Sequence, residues 1–200
     1  MQESSIAEYF STLSSAIEST NCTSLSGQSL SRADAFDQAI QLVRSMVENS
    51  GKVLFCGNGG SAGICSHMAT DFFKNGQIPA IALNDSSALT CLGNDFGFEF
   101  IFSKQIEMLA IPNDVVIAIS SSGQSKNIIN GVDAGRRCGC KVITFSGFSE
   151  KNSLRQLGDI NFHVPGKDYG FVEVAHSSLI HAILDIHMGW PDIKYPDGSA

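Results

Sequence analysis

His67 and Asp71 lie four residues apart, which puts an imidazole and a carboxylate on one face of a helix. Such a pair can accept and donate protons, or offer two ligands to a metal ion. Just upstream, an apolar run from Val53 to Cys56 reads as a buried strand and leads into Gly57-Asn58-Gly59-Gly60-Ser61. Glycines there suit a sharp turn with close backbone approach, and Ser61 suits the N-cap of the helix that carries His67 and Asp71. A strand, a glycine turn and a helix N-terminus together form an anion site. The spacing fits neither a dinucleotide fingerprint nor a P-loop, which needs Gly-Lys-Ser/Thr at its end. A second polar cluster, Ser120-Ser121-Ser122-Gly123-Gln124-Ser125, follows the near-continuous apolar strand at 114–119. Its hydroxyls and backbone N–H groups can share phosphate oxygens without a cation. On the last helix Glu173 has His176 three residues on and His181 eight residues on, and spacing alone selects His176 as its partner.

These groups need a scaffold that brings two loops together. Apolar residues at Ile6, Tyr9, Phe10, Leu13 and Ile17 mark a first helix. Ser31 caps a second, with Ala35, Phe36, Ala39, Ile40, Leu42, Val43 and Met46 on its apolar side. The stretch 21–27 reads as a turn, so the two helices meet with no strand between them and must bury their stripes against the body or against another subunit, a hint of oligomerisation. Further strands are expected at 78–83, 140–145 and 160–164. Helices are expected from a Ser86 or Ser87 cap to Leu92, at 98–109, at 126–138 and from Phe171 to Met188. Five strands alternating mostly with helices predict an α/β fold with a parallel sheet flanked by helices. Ligands in such sheets bind beyond the carboxyl ends of the strands, where both polar clusters fall. The chain reads as a single domain over 1–200: a helical pair at 1–50, an α/β core at 51–188 and a polar tail at 189–200.

Composition narrows the function classes. The net charge of −7 and the lack of a basic run argue against nucleic acid as a partner. No apolar stretch reaches membrane-spanning length, and the first residues lack a signal peptide's basic start and apolar core. None of the six cysteines, Cys22, Cys56, Cys65, Cys91, Cys138 and Cys140, forms a C-x-x-C pair, which reads as reduced thiols of a cytoplasmic protein.

Several separated blocks resemble the phosphoheptose isomerases, of the sedoheptulose 7-phosphate isomerase type and the SIS fold. They are Gly57-Asn-Gly-Gly-Ser61, His67, Pro79-Ala-Ile-Ala-Leu83, Gly93-Asn-Asp-Phe-Gly-Phe98 and Ile119-Ser-Ser-Ser-Gly-Gln-Ser125. The resemblance covers about residues 30–187. It implies a flavodoxin-like three-layer sandwich with five parallel strands, and a homotetramer with sites between subunits. It also implies interconversion of a ketose phosphate and an aldose phosphate. On this resemblance Asn58, Gly59 and Gly60 bind the sugar, Asn94 and Asp95 reach the substrate, and Ser120, Ser121, Ser122 and Ser125 hold the phosphate. His67, Asp71, Glu173 and His181 match the ligands of one zinc ion per subunit, with Asp71 and Glu173 also touching substrate. Asp71 matches the base and His181 the acid. Asp71 stands where the family has glutamate, and Glu173 where it has glutamine. The loop from Asp71 to Pro79 is short and lacks an expected arginine, and Gly170 and Phe171 replace acidic and basic residues.

Aldose–ketose isomerisation moves a proton between adjacent carbons through an enediol, so it needs a base, an acid and stabilisation of negative charge. A carboxylate bound to metal is a poor base, which leaves three routes open. Asp71 leaves the metal during turnover, Glu173 takes the proton, or the two carboxylates share a proton without metal. The rival readings within this fold are a non-catalytic tetramer that binds a replication initiator and a sugar-phosphate sensor. The first requires the ligand positions to have lost their chemistry, and all four keep it.

Overall fold

The computed structural model describes residues 3–196 and 198. Helix α1 (Glu3–Glu18) is followed by two short strands, β1 (Asn21–Ser24) and β2 (Ser29–Leu30), and by α2 (Arg32–Glu48). Then come β3 (Val53–Gly57), α3 (Gly60–Lys74), β4 (Ala80–Ala82), α4 (Ser86–Asp95), a 3-10 turn at Phe98–Phe100 and α5 (Ile101–Leu109). The chain continues with β5 (Val115–Ser120), α6 (Lys126–Arg137), β6 (Lys141–Phe148), a 3-10 turn at Leu154–Gln156, β7 (Ile160–Pro165) and α7 (Tyr169–His187).

The strands form one sheet in the order β2-β1-β7-β6-β5-β3-β4. The five from β7 to β4 run parallel, as the apolar runs predict. Both faces are covered: Val53, Phe55, Ile117, Phe145 and Phe162 pack beneath α2, α3 and α7, while Leu54, Cys56, Val116, Ala118 and Val142 pack beneath α5 and α6. Burial on both faces is why these strands lack polar alternation.

The sheet has seven strands rather than five. β1 occupies the first half of the stretch expected to be a turn, β2 follows that stretch, and together they separate the two N-terminal helices. β1 runs antiparallel to β7, with Cys22 opposite Phe162, and Cys22 is its single buried residue. So short and polar a segment becomes a strand because the edge of β7 offers unpaired backbone groups, not through its own propensity. The helical pair also divides. α2, capped by Ser31 on the Asp34 amide, buries Ala35, Ala39, Ile40, Val43 and Met46 in the body of the protein. α1 buries none of its residues and leaves Ile6, Tyr9 and Phe10 exposed. The cap of α4 is Asp85, whose carboxylate accepts from the Ala88 amide, and the helix runs past Leu92 to Asp95.

Two polar clusters hold the interior. Asp114 is fully buried, and its carboxylate accepts from the Lys52 amide at 2.8 Å, the Ile111 amide at 2.9 Å and Lys52 Nζ at 2.6 Å. This ties the starts of β3 and β5 together. Below the serine loop, Ser146 Oγ lies 3.3 Å from His163 Nδ1, Asn152 Nδ2 donates to Ser146 Oγ at 3.2 Å, and His176 Nε2 donates to the Ser146 carbonyl at 2.9 Å. His163 Nε2 and His176 Nδ1 are buried without partners.

Burial pushes both imidazoles down to about 4, with the charge of Arg155 also lowering His163. An unfolded chain takes up these protons near pH 6.5 and the folded chain does not. Their stabilising effect is therefore complete above pH 6.5 and is lost as the pH falls to about 4. Thermal unfolding followed across this window is expected to show a falling midpoint. A shallower fall is expected in His176→Gln.

Candidate active site

β3 and β5 are parallel neighbours, with Gly57 opposite Ile119, so the loops that follow them open at the same edge of the sheet. Gly59 turns the chain at φ 53 and ψ −121, a backbone that favours glycine. The N-cap of α3 is Gly59, two residues before the Ser61 that the sequence suggests, and it offers no side chain to cap the helix. Ser61 is buried in the first turn instead of capping it. Asn58 and Asn127 exchange two amide hydrogen bonds, at 3.0 and 2.9 Å, and so fasten the glycine turn to the start of α6.

The serine loop is ordered by its own bonds. Ser120 Oγ accepts from the Gly123 amide at 3.1 Å and donates to Ser125 Oγ at 3.3 Å, while Ser122 Oγ accepts from the Gln124 amide at 3.2 Å. Ser125 stands at the N-cap of α6 without capping it. Ser121 Oγ is buried and has no partner. A hollow of about 150 Å³ lies here, lined by the serine loop, Asn58, Ser61, Ile119, Tyr169 and Glu173. None of these is a lysine or arginine. A buried hydroxyl costs free energy unless something bonds to it, and an anion held by hydroxyls and the α6 N-terminus satisfies it.

A second cluster forms where α3 packs on α7. His67 Nε2 lies 3.2 Å from His181 Nε2 and 3.3 Å from Asp71 Oδ2, and His181 Nδ1 lies 3.9 Å from Asp71 Oδ2. One ligand atom from each of the three lies within 4.8 Å of the other two. Zinc bonds of about 2.0–2.1 Å set tetrahedral ligand edges of roughly 3.4 Å, which the two separations from His67 Nε2 match, whereas His181 approaches His67 and Asp71 through different nitrogens, so one of them must close on both for the three to hold an ion. Asn75 Nδ2 donates to Asp71 Oδ1 at 3.4 Å and steadies the carboxylate. One turn beyond His181, desolvation raises the Asp185 carboxyl, opposed by the nearby His181 and reinforced by Asp71.

Glu173, the fourth expected ligand, stands outside this group. Its carboxylate rests against Gly60 so closely that a β-carbon there would lie 2.7 Å from Cδ and Oε1. Asn94 and Asp95 lie at the exposed end of α4, bonded to each other at 2.8 Å and away from the serine hollow. His176, which spacing selects, faces the core, while His181 faces the cluster. Sequence reasoning missed Asn127 and Tyr169. Asn127 sits next to the serine loop, but its pairing with Asn58 follows from the adjacency of β3 and β5, which no local pattern displays.

The SIS domain family model matches residues 23–147. A phosphoheptose isomerase of Syntrophotalea carbinolica is 38% identical over 78% of this chain and 82% of its own. The solved phosphoheptose isomerase of Neisseria gonorrhoeae superposes with a TM-score of 0.80 and 32% identity, covering 92% of this chain and 98% of that one. That of Francisella tularensis gives a TM-score of 0.79 and 32% identity, covering 94% and 98%.

Replacing Ser121 and Ser125 together by alanine is expected to weaken binding of inorganic phosphate by about tenfold or more, since bonds to a charged group are worth roughly 1.5–3 kcal/mol each. Calorimetric titration measures this. Unchanged affinity would remove the loop from the site.

Proposed function

The chain belongs to the phosphoheptose isomerase family and carries a SIS domain, and from that premise we propose that it interconverts sedoheptulose 7-phosphate and D-glycero-D-manno-heptose 7-phosphate. The observation that carries this reading is the pairing of two clusters along the same helices. The serine hollow, with its unpartnered Ser121 hydroxyl, lies at the starts of α3 and α7, and the His67, Asp71 and His181 group lies further along both. From Glu173 to His181, eight residues of helix advance about 12 Å. An extended seven-carbon phosphate spans roughly 10 Å, because each C–C bond of about 1.5 Å advances somewhat less than its length. A phosphate in the hollow therefore brings the other end of a long sugar to the three-residue group, which a three-carbon sugar would not reach.

In this mechanism Ser120, Ser121, Ser122 and Ser125 hold the phosphate, helped by the N-terminus of α6. Asn58, Gly59 and Gly60 line the path of the sugar, and Asn94 and Asp95 reach it from a neighbouring subunit. His67, Asp71 and His181 would hold zinc, which supplies polarisation of the sugar carbonyl when bound. Asp71 accepts the proton from carbon. Its Oδ2 faces both imidazoles and its Oδ1 faces Asn75, so the carboxylate can shift between binding and proton transfer. His181 returns a proton to oxygen, which completes the passage through the enediol. The convergence of the three side chains supports catalysis over a binding role, which would not need it.

The protein is proposed to be cytoplasmic and its active form a homotetramer; the exposed aromatic face of α1, where Tyr9 meets Phe171 in a tilted pair with ring centroids 4.7 Å apart, supports the assembly. Sedimentation is expected to give a tetramer that loosens when residues 1–18 are deleted, a cut that spares β1. A monomer with full activity would refute the shared site. For the chemistry, Asp71→Asn is expected to abolish turnover of sedoheptulose 7-phosphate and to lower bound metal. Metal analysis beside a turnover assay checks both. Full turnover by wild type stripped of metal would overturn the zinc reading and leave the carboxylates and His181 as the working groups.

A further inference from the structure

We infer that Glu173 is a charge filter on the serine hollow, a specificity-determining residue that disfavours bare phosphate and favours phosphates attached to a polyol. The inference rests on reading the hollow as a phosphate site. Three observations carry it. The Glu173 carboxylate lies against Gly60 at the start of α3, where no side chain is present to block it. The same end of α3 lacks a side-chain cap, because Gly59 has none to give. A carboxylate is favoured there by the free amides and the positive end of the helix dipole. Finally, Glu173 lines the serine hollow itself, and it brings the one formal charge among the lining residues.

An arriving phosphate thus meets a negative charge that no cation on the lining offsets. Two anions in a small space repel, and the repulsion weakens binding of any phosphate. A carboxylate is also an acceptor with two oxygens and no donor. A polyol phosphate supplies hydroxyl donors next to its phosphate, and hydrogen bonds to a charged acceptor are the stronger kind. Inorganic phosphate bears the repulsion without that return. A glutamine in the same place would remove the repulsion for both ligands but weaken the hydroxyl bonds of the polyol alone, so only inorganic phosphate should gain.

The test compares wild type with Glu173→Gln, which keeps the shape of the side chain, and with Glu173→Ala. Calorimetry measures Kd for inorganic phosphate and for a hexitol 6-phosphate, which cannot isomerise, and metal content is determined alongside. In Glu173→Gln, inorganic phosphate is expected to bind about tenfold tighter and the hexitol phosphate no tighter. The preference for the polyol should then fall by about tenfold, with metal retained at the wild-type level. Glu173→Ala should show the same loss of preference. An unchanged preference, with phosphate binding intact, would overturn the filter alone. Loss of metal in Glu173→Ala, which removes every ligand atom of the side chain, would overturn it by making Glu173 a ligand of the His67, Asp71 and His181 group. If wild type binds neither ligand, the phosphate reading of the hollow fails and the filter fails with it.

Discussion

The site depends on β3 and β5 lying side by side in parallel and being fastened at both ends. At the start of the pair, buried Asp114 holds the backbone and ammonium of Lys52. At the far end, Asn58 and Asn127 exchange amide bonds across the two loops. Between them the registered strands are fully buried. Removing a partner from a buried charge cluster typically costs about 3–5 kcal/mol, so the Asp114 end is strongly enforced. The glycine turn and the serine loop then have little freedom to move apart. The starts of α3 and α6 converge on one hollow because their strands do.

That geometry explains what the sequence could and could not display. The strands at Val53–Gly57 and Val115–Ser120 are legible because burial on both faces leaves unbroken apolar runs. Ser31 is legible as a cap because capping is local, whereas the start of α3 shifts to Gly60 because the turn at Gly59 is set by the close approach of Ser61 to Gly57. β1 and β2 escape notice because their order comes from β7 and not from Asn21–Ser24 itself. Among the histidines, three-residue spacing favours His176. The face of α7 that packs on the sheet buries it, and His181 falls on the face toward α3. Glu173 shows the same limit, since helical position fixes its height on α7 but not whether its carboxylate turns to the imidazoles or to Gly60.

The layer beneath the serine loop has its own role. Gly123 has no room for a β-carbon because Asn152 fills that space. Asn152 in turn bonds Ser146 and the Gly147 carbonyl, and Ser146 meets both buried histidines. The loop therefore rests on a fully buried polar network instead of on solvent. Its bonded members hold the loop in place, although His163 Nε2 and His176 Nδ1 within it stay unpartnered. It preorganises Ser120, Ser122 and Ser125, while Ser121 is left over.

The burial of the thiols bears on how the protein can be handled as a reagent. Cys22 is pushed up to about 11 and Cys56 and Cys140 to about 12 by burial, and Cys65 is raised in the same way, so none offers appreciable thiolate at neutral pH. Cys91 is exposed, though its hydrogen bond to Asp95 also raises its thiol, and Cys138 is half-buried, so access sets these two apart. Maleimide dyes and mild oxidants are thus directed to those two positions without any cysteine being engineered away. Cys91 donates to Asp95 Oδ2 at 3.6 Å, one turn along α4. A fluorophore attached there would sit beside Asn94 and Asp95, and the native chain already carries its own attachment point for an optical probe of that surface.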